Sequence, residues 1–237
     1  MVMESQKPVA VVLARGGSKG IPRKNIIEFC GHPLIAWTIT QTIQAGIMGV
    51  YVSTDDNEIA SVATEYGAQI IRRPPELATD VSSGDHGVIH AVSFLDLADD
   101  MVVTIPQVTS PLRWPRHITA VTDLVLSGRF DSAFTANRVD DICVWSLDDS
   151  PRSVTYDFRT RKMRQDRSPL VVENGSVYCT RVGALIESGN RLSGRIGVSL
   201  MPRWTMPEID ETDDVSLCET LMAAYVPVEL SGISARE

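Results

Sequence analysis

Residues 9–26 read VAVVLARGGSKGIPRKNI, and they join an apolar run to a loop rich in glycine and in basic side chains. Residues 9–14 carry no polar side chain, which is the pattern of a strand buried on both faces of a sheet. The loop contains glycines whose backbone can turn N–H groups toward an anion, at Gly16, Gly17 and Gly20. It also carries four cations that no acid within the loop offsets, namely Arg15, Lys19, Arg23 and Lys24. A buried strand that leads into such a loop predicts a phosphate-binding site.

Two common phosphate loops are excluded by the spacing of these residues. A Walker loop needs a lysine directly after its last glycine, whereas Lys19 precedes Gly20. A dinucleotide loop needs a glycine at the position that Arg15 occupies. The alternative is a surface turn of solvated lysines and arginines, which we disfavour because such turns seldom follow a buried N-terminal strand. The stretch therefore predicts a phosphate site of another kind.

Length, charge and cysteine content limit the classes of protein to which this sequence can belong. The 237 residues suffice for one α/β domain, and we predict a single domain over residues 1–237. The 22 basic and 30 acidic residues give a net charge of -8, which argues against nucleic acid as a partner. Four widely spaced cysteines indicate neither a zinc ribbon nor a disulfide scaffold. Because no apolar leader or membrane-length apolar run occurs, we expect a soluble cytoplasmic protein without membrane contact.

Helices and strands are predicted to alternate after the loop. Apolar periodicity predicts helices at residues 33–46, 55–66, 84–98, 117–126 and 213–225, and strands at residues 50–52, 68–71, 101–105, 133–136, 173–178 and 196–200. Asp55, with Glu58 three residues later, resembles a capping box at the start of the second helix. In open α/β sheets ligands bind at the carboxyl ends of the strands. Gln107, which follows the strand at 101–105, is therefore a candidate ligand-binding residue.

Two places have the spacing of metal ligands. His86 and His90 are four residues apart on a predicted helix, but no third nitrogen or thiolate ligand lies near them, so we disfavour a metal there. Glu208 and Asp210 are two residues apart in a segment that reads as extended. Such side chains point the same way and can converge on a hard cation such as Mg²⁺. A solvated acidic loop is the alternative, and a phosphate site elsewhere in the chain favours the metal.

The alternation of strands and helices is interrupted at residues 138–172. This segment is polar and poorly periodic, and it includes the basic run at residues 159–167. An insertion of that length predicts a lid or a partner-binding arm. For Arg159, Arg161 and Lys162 we favour a solvated charged surface.

Six motifs follow one another along the chain: LARGGSKGIPRKN, STDD, RRPPELATD, QVTSP, ENGSVY and EIDETDD. In order and spacing they resemble the acylneuraminate cytidylyltransferases, or CMP-sialic acid synthetases, from residue 9 to residue 225. The resemblance implies a three-layer α/β nucleotide-diphospho-sugar transferase fold (Rossmann-like), with a twisted mixed sheet and a small dimerisation excursion. It also implies a homodimer that transfers CMP from CTP to the anomeric hydroxyl of a nine-carbon α-keto acid sugar, such as sialic acid or a related nonulosonate, and releases pyrophosphate.

The same resemblance implies roles for individual residues. The catalytic residues would be Lys24, Arg15, Lys19 and Asp210. The nucleotide would be bound by Arg15, Gly16, Lys19, Lys24, Asn25, Arg73 and Ser83. The acidic sugar would contact Gln107, Arg164 and Asn174, and Mg²⁺ or Mn²⁺ would be bound by Asp210 and Glu208. Phosphoryl transfer depends mainly on positioning and charge neutralisation, so no strong protein base is required.

Departures from the family pattern concern the acceptor. Glu208 stands where bacterial members often have aspartate, residues 144–147 include no lysine, and Val172 replaces an arginine of some sialate enzymes. The acceptor therefore stays open among N-acetylneuraminate, legionaminate, pseudaminate, a related ulosonate and a smaller acidic molecule. Two further readings also stay open: a nucleotidyltransferase of the same fold that uses a phosphorylated acceptor, and a catalytically silent nucleotide-binding protein.

Overall fold

The computed structural model of the chain describes residues 7–226 except residues 19, 48, 80, 81, 141 and 148, and it describes residue 164 by its backbone alone. Within these residues the strands are β1 (Val9–Leu13), β2 (Glu28–Phe29), β3 (His32–Pro33), β4 (Gly49–Thr54), β5 (Gln69–Arg72), β6 (Val102–Pro106), β7 (Ser132–Arg138), β8 (Trp145–Ser146), β9 (Arg152–Ser153), β10 (Val171–Arg181) and β11 (Ile196–Met201). The α-helices are α1 (Leu34–Gln44), α2 (Asn57–Glu65), α3 (Gly84–Phe94), α4 (Pro115–Leu126), α5 (Val182–Ser188) and α6 (Thr212–Tyr225).

Seven of the strands form one mixed sheet in the order β11-β7-β10-β6-β1-β4-β5. Strands β6, β1, β4 and β5 are parallel, β10 runs antiparallel to both of its neighbours, and β11 is parallel to β7. Leu13 pairs with Ser53, so β1 and β4 end together at one edge of the sheet. The predicted α/β fold with a mixed sheet is confirmed.

The sheet has a hydrophobic core on each face. Val11 and Val103 pack with α3 and α5 on one face, whereas Ala10 and Val12 belong to the core that includes α1, α2, α4 and α6. Because side chains alternate along a strand, β1 must be apolar at successive positions to fill both cores. This double burial explains the unbroken apolar run at residues 9–14. The sheet is thus the middle layer, with helices packed on each of its two faces.

The observed helices differ from the predicted ones at some boundaries. The cap of α2 is Asp56 rather than Asp55: the Asp56 carboxylate accepts the backbone N–H groups of Glu58 and Ile59. The predicted helix at 84–98 ends at Phe94, and α4 begins two residues earlier than expected, at Pro115. Helix α5 was not predicted, because seven residues are too few to show a helical period.

The excursion predicted at residues 138–172 connects β7 to β10. The N–H of Val139 donates to the carbonyl of Leu170 at 3.0 Å, so strand pairing continues into its base. Beyond that point lie the β8–β9 ribbon and two 3-10 turns, Phe158–Thr160 and Arg164–Asp166. Several of its apolar side chains are exposed, led by Leu147 at 90%. Its action as a lid or arm stays a prediction, as does the single-domain boundary. Within the described residues no helix has the length and apolar character needed to cross a membrane.

Candidate active site

A cleft lies at the carboxyl ends of β1 and β6, between the loop of residues 15–25 (the phosphate loop) and the N-terminus of α3. Six side chains that the sequence singled out line this cleft: Arg15, Lys24, Asn25, Arg73, Ser83 and Gln107. They come from four separate stretches of the chain, and the parallel strands bring them to one edge. This is the position at which α/β sheets bind ligands.

The STDD stretch at the end of β4 braces the phosphate loop. The Asp55 carboxylate accepts the backbone N–H of Gly16 at 3.0 Å. A Cβ on Gly16 would lie 2.8 Å from a carboxylate oxygen of Asp56, so only glycine fits that position without a shift. At the other end of the loop, the Asn25 amide donates to the carbonyl of Arg15 at 2.9 Å. The loop is thus held in a fixed conformation by acids of the neighbouring strand.

Arg23 of the phosphate loop is neutralised by acids that lie outside the loop, in the neighbouring STDD stretch and in α2. Arg23 donates to both oxygens of Asp56, at 2.5 and 3.0 Å, and it also pairs with Glu58. The hydrogen bond from Arg23 is the main reason why the pKa of Asp56 falls to about 2. Arg23 therefore fastens the loop to α2 instead of offering charge to a ligand.

Lys24 joins the phosphate loop to the acidic stretch near the other end of the chain. Its Nζ lies 2.9 Å from Oδ1 of Asp210, which is 186 residues away in sequence. The contact is reinforced by the backbone, since a Cβ on Gly20 would lie 2.3 Å from the carbonyl oxygen of Asp210. The two motifs that the sequence analysis treated separately are parts of one site.

Glu208 and Asp210 lie on either side of a buried anchor, Ile209. The Ile209 side chain is fully buried, and its N–H donates to the carbonyl of Thr109 at 2.8 Å. The Glu208 carboxylate packs against Gly175, where a Cβ would lie 2.2 Å from Oε1 and where φ is +62°. Convergence of Glu208 and Asp210 on one cation stays a prediction.

The surroundings of Glu208 suit a cation. Burial and then the negative charge of Asp210 raise the pKa of Glu208, while Lys24 opposes that rise. A divalent ion between the two carboxylates would relieve their repulsion. Within the described residues no group of three His, Cys, Asp or Glu side chains is arranged to hold a metal. Two carboxylates leave the remaining positions of an Mg²⁺ shell to phosphate oxygens and water, which is how Mg²⁺ is usually bound.

Gln107 presents an unused hydrogen-bond donor to the cleft. Its backbone is fixed, because its N–H donates to the carbonyl of Ser176 at 2.9 Å and its carbonyl accepts from Arg113 at 2.9 Å. Its side-chain Nε2 is buried and has no partner among the described residues. A buried donor without a partner costs about 1–3 kcal/mol, and a bound ligand can supply the missing acceptor.

Arg73 and Ser83 also line the cleft. Arg73 is buried, and its guanidinium donates to the hydroxyl of Ser53 at 3.2 Å and to the Ser53 carbonyl. Burial lowers the pKa of Arg73, and the charge of Asp55 opposes that shift. The Ser83 hydroxyl caps α3 by accepting the N–H of Asp85 at 3.1 Å. Both side chains are fixed by the protein and border the cleft.

Asn174, Lys19 and Arg164 were also predicted as site residues; of the three, the structure describes the side chain of Asn174 alone, and it does not line the cleft. Asn174 is buried, and its amide oxygen accepts from the hydroxyl of Thr135 at 2.7 Å and from the N–H of Ser176 at 3.2 Å. These bonds shape the bulge of β10, and contact with a substrate stays a prediction for Asn174. Lys19 and the side chain of Arg164 lie outside the described residues, so their roles also stay predictions.

Arg113 is a supporting residue that the sequence analysis missed. It is fully buried, and its Nη1 donates to the carbonyls of Gln107, Ser110 and Ser176 at 2.9, 2.7 and 3.2 Å. Burial lowers its pKa to about 9. Its guanidinium fixes the loop that carries Gln107 and Thr109. An arginine two residues after the QVTSP motif gives no sign in sequence that it points inward, so no signal could have separated it from a surface cation.

The chain is similar in sequence to known cytidylyltransferases. Residues 9–174 match the family model described as Cytidylyltransferase. Over 214 residues the chain is 35% identical to N-acylneuraminate cytidylyltransferase B of Danio rerio, and the match covers 89% of this chain and 50% of that protein. Over 191 residues it is 37% identical to N-acylneuraminate cytidylyltransferase A of the same species, covering 78% of this chain and 44% of the relative. The chain thus spans about half the length of the curated relatives it matches.

The fold is also similar to a solved structure, that of a CMP:2-keto-3-deoxy-manno-octonic acid synthetase complexed with CTP. The TM-score is 0.69, and the match covers 92% of this chain and 99% of that one. The two sequences are 17% identical, so this likeness shows the fold alone.

Proposed function

Because this chain belongs to the cytidylyltransferase family, we propose that it transfers CMP from CTP to the anomeric hydroxyl of an acidic nine-carbon α-keto sugar and releases pyrophosphate. The observation that carries the proposal is the 2.9 Å contact between Lys24 of the phosphate loop and Asp210 of the acidic stretch. It brings a lysine that lines the cleft next to a carboxylate, and we assign the lysine to phosphate and the carboxylate to a metal. Transfer of a phosphoryl group needs both at the same phosphorus.

The phosphate loop would bind the triphosphate. Arg15 and Lys24 line the cleft, and Gly16 allows the loop to pack closely against Asp55 and Asp56; Gly16 and Lys19 complete the nucleotide-binding set in our proposal. Lys24 would stabilise the charge that develops on the α-phosphoryl oxygens. Preorganised cations of this kind lower the barrier because they need no rearrangement during the reaction. Arg15 would hold the outer phosphates and orient the pyrophosphate leaving group.

The remaining nucleotide contacts are proposed from position. Asn25, beside Arg15 at the loop's end, would face the ribose. Arg73 and Ser83 line the cleft and would face the cytosine. Their fixed side chains give a rigid surface for a planar base, which favours discrimination among bases.

Glu208 and Asp210 would hold Mg²⁺ or Mn²⁺. When bound, a divalent ion neutralises phosphate oxygens and lowers the pKa of a coordinated hydroxyl. Lys24, which contacts Asp210 at 2.9 Å, would lie beside the ion and contact phosphate. Gly175 and Ile209 would keep Glu208 in place.

Gln107 would contact the acceptor sugar, because its buried Nε2 lacks a partner and borders the cleft. Arg164 would pair with the acceptor's carboxylate, a bidentate contact that arginine makes better than lysine. For Asn174 the internal hydrogen bonds favour a supporting role, in which it shapes the β10 bulge that meets Glu208.

A homodimer is part of the proposal. The edge strand β11 exposes three alternate apolar side chains, Ile196 at 46%, Val198 at 41% and Leu200 at 55%. The excursion adds Leu147 at 90% and Met163 at 70%. Apolar surface of this extent is typical of protein–protein contacts, and a second copy would also cover the unpaired edge of β11. All four cysteines are unpaired, which agrees with a reducing compartment and with our placement of the enzyme in the cytoplasm.

Release of pyrophosphate tests the proposal directly. Each of the four nucleoside triphosphates would be offered with Mg²⁺ to an acceptor panel of acidic keto sugars, sugar phosphates and alcohol phosphates. We expect release that requires CTP and an acidic keto sugar. Release only with a phosphorylated acceptor would favour the second candidate, a related nucleotidyltransferase of the same fold. Binding of CTP by calorimetry without any release would favour a silent nucleotide-binding protein.

A further inference from the structure

A buried arginine lies behind the cleft without an acid to balance its charge. Arg113, in the segment between β6 and α4, is fully buried, and within the described part of the chain no carboxylate pairs with it. Burial alone accounts for its lowered pKa. Moving a cation out of water is costly unless hydrogen bonds compensate for the loss of hydration. The acceptors of those hydrogen bonds therefore indicate the role of Arg113.

The acceptors belong to three segments of the chain. Nη1 donates to the carbonyls of Gln107 and Ser110 at 2.9 and 2.7 Å, and to the carbonyl of Ser176 in β10 at 3.2 Å. Nη2 donates to the hydroxyl of Thr38 in α1 at 2.6 Å. Arg113 thus ties its own loop, residues 107–113 (the Gln107 loop), to a strand and to a helix.

The backbone of Gln107 is held at both of its polar groups. Its N–H donates to the carbonyl of Ser176 at 2.9 Å, the same carbonyl that accepts from Arg113. Its own carbonyl accepts from Arg113. The Gln107 backbone cannot rotate without breaking one of these bonds, so the direction in which its side chain leaves the backbone is fixed. Among the partners of Arg113, only Gln107 lines the cleft.

Two buried nitrogens in this loop remain without partners. Nε2 of Gln107 and Nε of Arg113 make no hydrogen bond to another described residue. A buried donor without an acceptor costs about 1–3 kcal/mol. A rotation of the Gln107 backbone that brought Nε2 to an acceptor within the protein would recover this free energy. The bonds from Arg113 and Ser176 oppose such a rotation.

We propose that Arg113 is a positioning residue for the acceptor: it holds the backbone of Gln107 so that the Gln107 amide donates to the acceptor sugar. The inference rests on the proposed function, in which Gln107 contacts that sugar. Because Arg113 is fully buried, it acts through Gln107 and touches neither substrate. Its partners include no residue of the phosphate loop, so recognition of the acceptor depends on it and recognition of CTP does not.

The first test replaces Arg113 by lysine, which keeps the charge but loses the planar fork of donors. With N-acetylneuraminate, or with the acidic keto sugar that the wild type uses best, we expect Arg113→Lys to raise the acceptor KM about tenfold at an unchanged KM for CTP. Arg181→Lys is the matched control. Arg181 also donates to two backbone carbonyls, those of Asp100 and Val125 at 3.1 and 3.0 Å, but at the other end of β10. Both KM values should stay at the wild-type level in that control.

A double-mutant cycle separates positioning from a general structural role. Because Arg113 acts through Gln107, Arg113→Lys should raise the acceptor KM no further in a Gln107→Ala background. A structural role would instead multiply the two effects, and that result would overturn the inference. An equal rise in both KM values of Arg113→Lys would overturn it as well.

If Arg113→Lys does not fold, as judged by its thermal melt, Thr38→Val supplies the test by removing only the acceptor of Nη2. We expect the acceptor KM to rise about threefold in Thr38→Val, and not to rise in the Gln107→Ala background. An unchanged acceptor KM in the variant tested would overturn the inference while the proposed function stands. Absence of pyrophosphate release by the wild type with every acidic keto sugar would overturn both.

Discussion

In the phosphate loop, the STDD motif at the end of β4 bonds to Gly16 and Arg23, and the segment around Asp210 packs against Gly20 and Lys24. Around Gln107, at the carboxyl end of β6, the backbone is instead fixed by Arg113 and by Ser176 of β10. There, the Nε2 of Gln107 makes no hydrogen bond to another described residue. A triphosphate is the same in every enzyme that uses CTP, so its site can be fully preorganised. The region around Gln107 keeps a donor without a partner, and a site that contacts the variable acceptor is where substrates can be distinguished.

The largest expected effect tests the link between the two regions. Asp210→Ala removes a carboxylate from the point at which Lys24 of the phosphate loop meets the metal-binding segment. We expect kcat to fall at least about a hundredfold, the loss usually seen when one preorganised electrostatic group is removed, measured as pyrophosphate release at saturating CTP. Asp213→Ala is the control: this exposed acid is in the same stretch and should leave kcat unchanged. Equal activity in both variants would remove Asp210 from the site.

The second effect is a loss of folding stability at mildly acidic pH, which we expect from the region behind Gln107 and not from the phosphate loop. His117, near Arg113 behind the Gln107 loop, is 7% exposed and accepts the N–H of Trp114 through Nδ1 at 3.2 Å. Burial, followed by the charges of Arg116 and Arg113, lowers the pKa of His117 to about 4. Since the unfolded chain binds this proton near pH 6.5, stability should fall as pH drops from 6.5 toward 4, by about 2 kcal/mol at pH 5.

Urea unfolding at pH 7.5 and pH 5 measures this loss. His117→Gln, which retains a hydrogen-bond acceptor but does not titrate, should flatten the pH dependence. The Arg23–Asp56 pair of the phosphate loop gives the contrast: the folded-state pKa of Asp56 is about 2, below its unfolded value, so its contribution persists to pH 5 and is lost only at lower pH. A pH dependence unchanged in His117→Gln would show that other groups cause it.

The smallest effect concerns the brace of the phosphate loop. Asp55→Ala removes the acceptor for the Gly16 N–H, so the loop should loosen and the KM for CTP should rise about fivefold, as for one hydrogen bond to a charged group. The KM for the acceptor should not change, because Asp55 lies on the nucleotide side. Asp55→Asn retains an oxygen at the same place and should stay close to the wild type. If Asp55→Asn matches Asp55→Ala, the charge and not the hydrogen bond supports the loop.

The same contrast explains how far the sequence could be interpreted. The family, the mixed α/β sheet, β1 and the cluster of Arg15, Lys24 and Gln107 at one edge could be predicted, because each depends on a contiguous motif or on strand order. The family assignment is confirmed by the match over residues 9–174. The role of Arg113 could not be predicted, since it depends on side-chain direction and on contacts between residues far apart in sequence. The exchange of Asp55 for Asp56 as the cap of α2 has a local cause: adjacent acids can cap equally well, and Arg23 favours the second.

The contact between Gly20 and the backbone of Asp210 has a consequence for protein engineering. A Cβ at position 20 would lie 2.3 Å from the carbonyl oxygen of Asp210, so the loop is shaped to fit a segment almost at the far end of the described chain. Transplanting LARGGSKGIPRKN into another α/β scaffold would carry over its charges but not the surface that it packs against. The loop is therefore not a portable module, and any graft or circular permutation must move the segment around Asp210 with it.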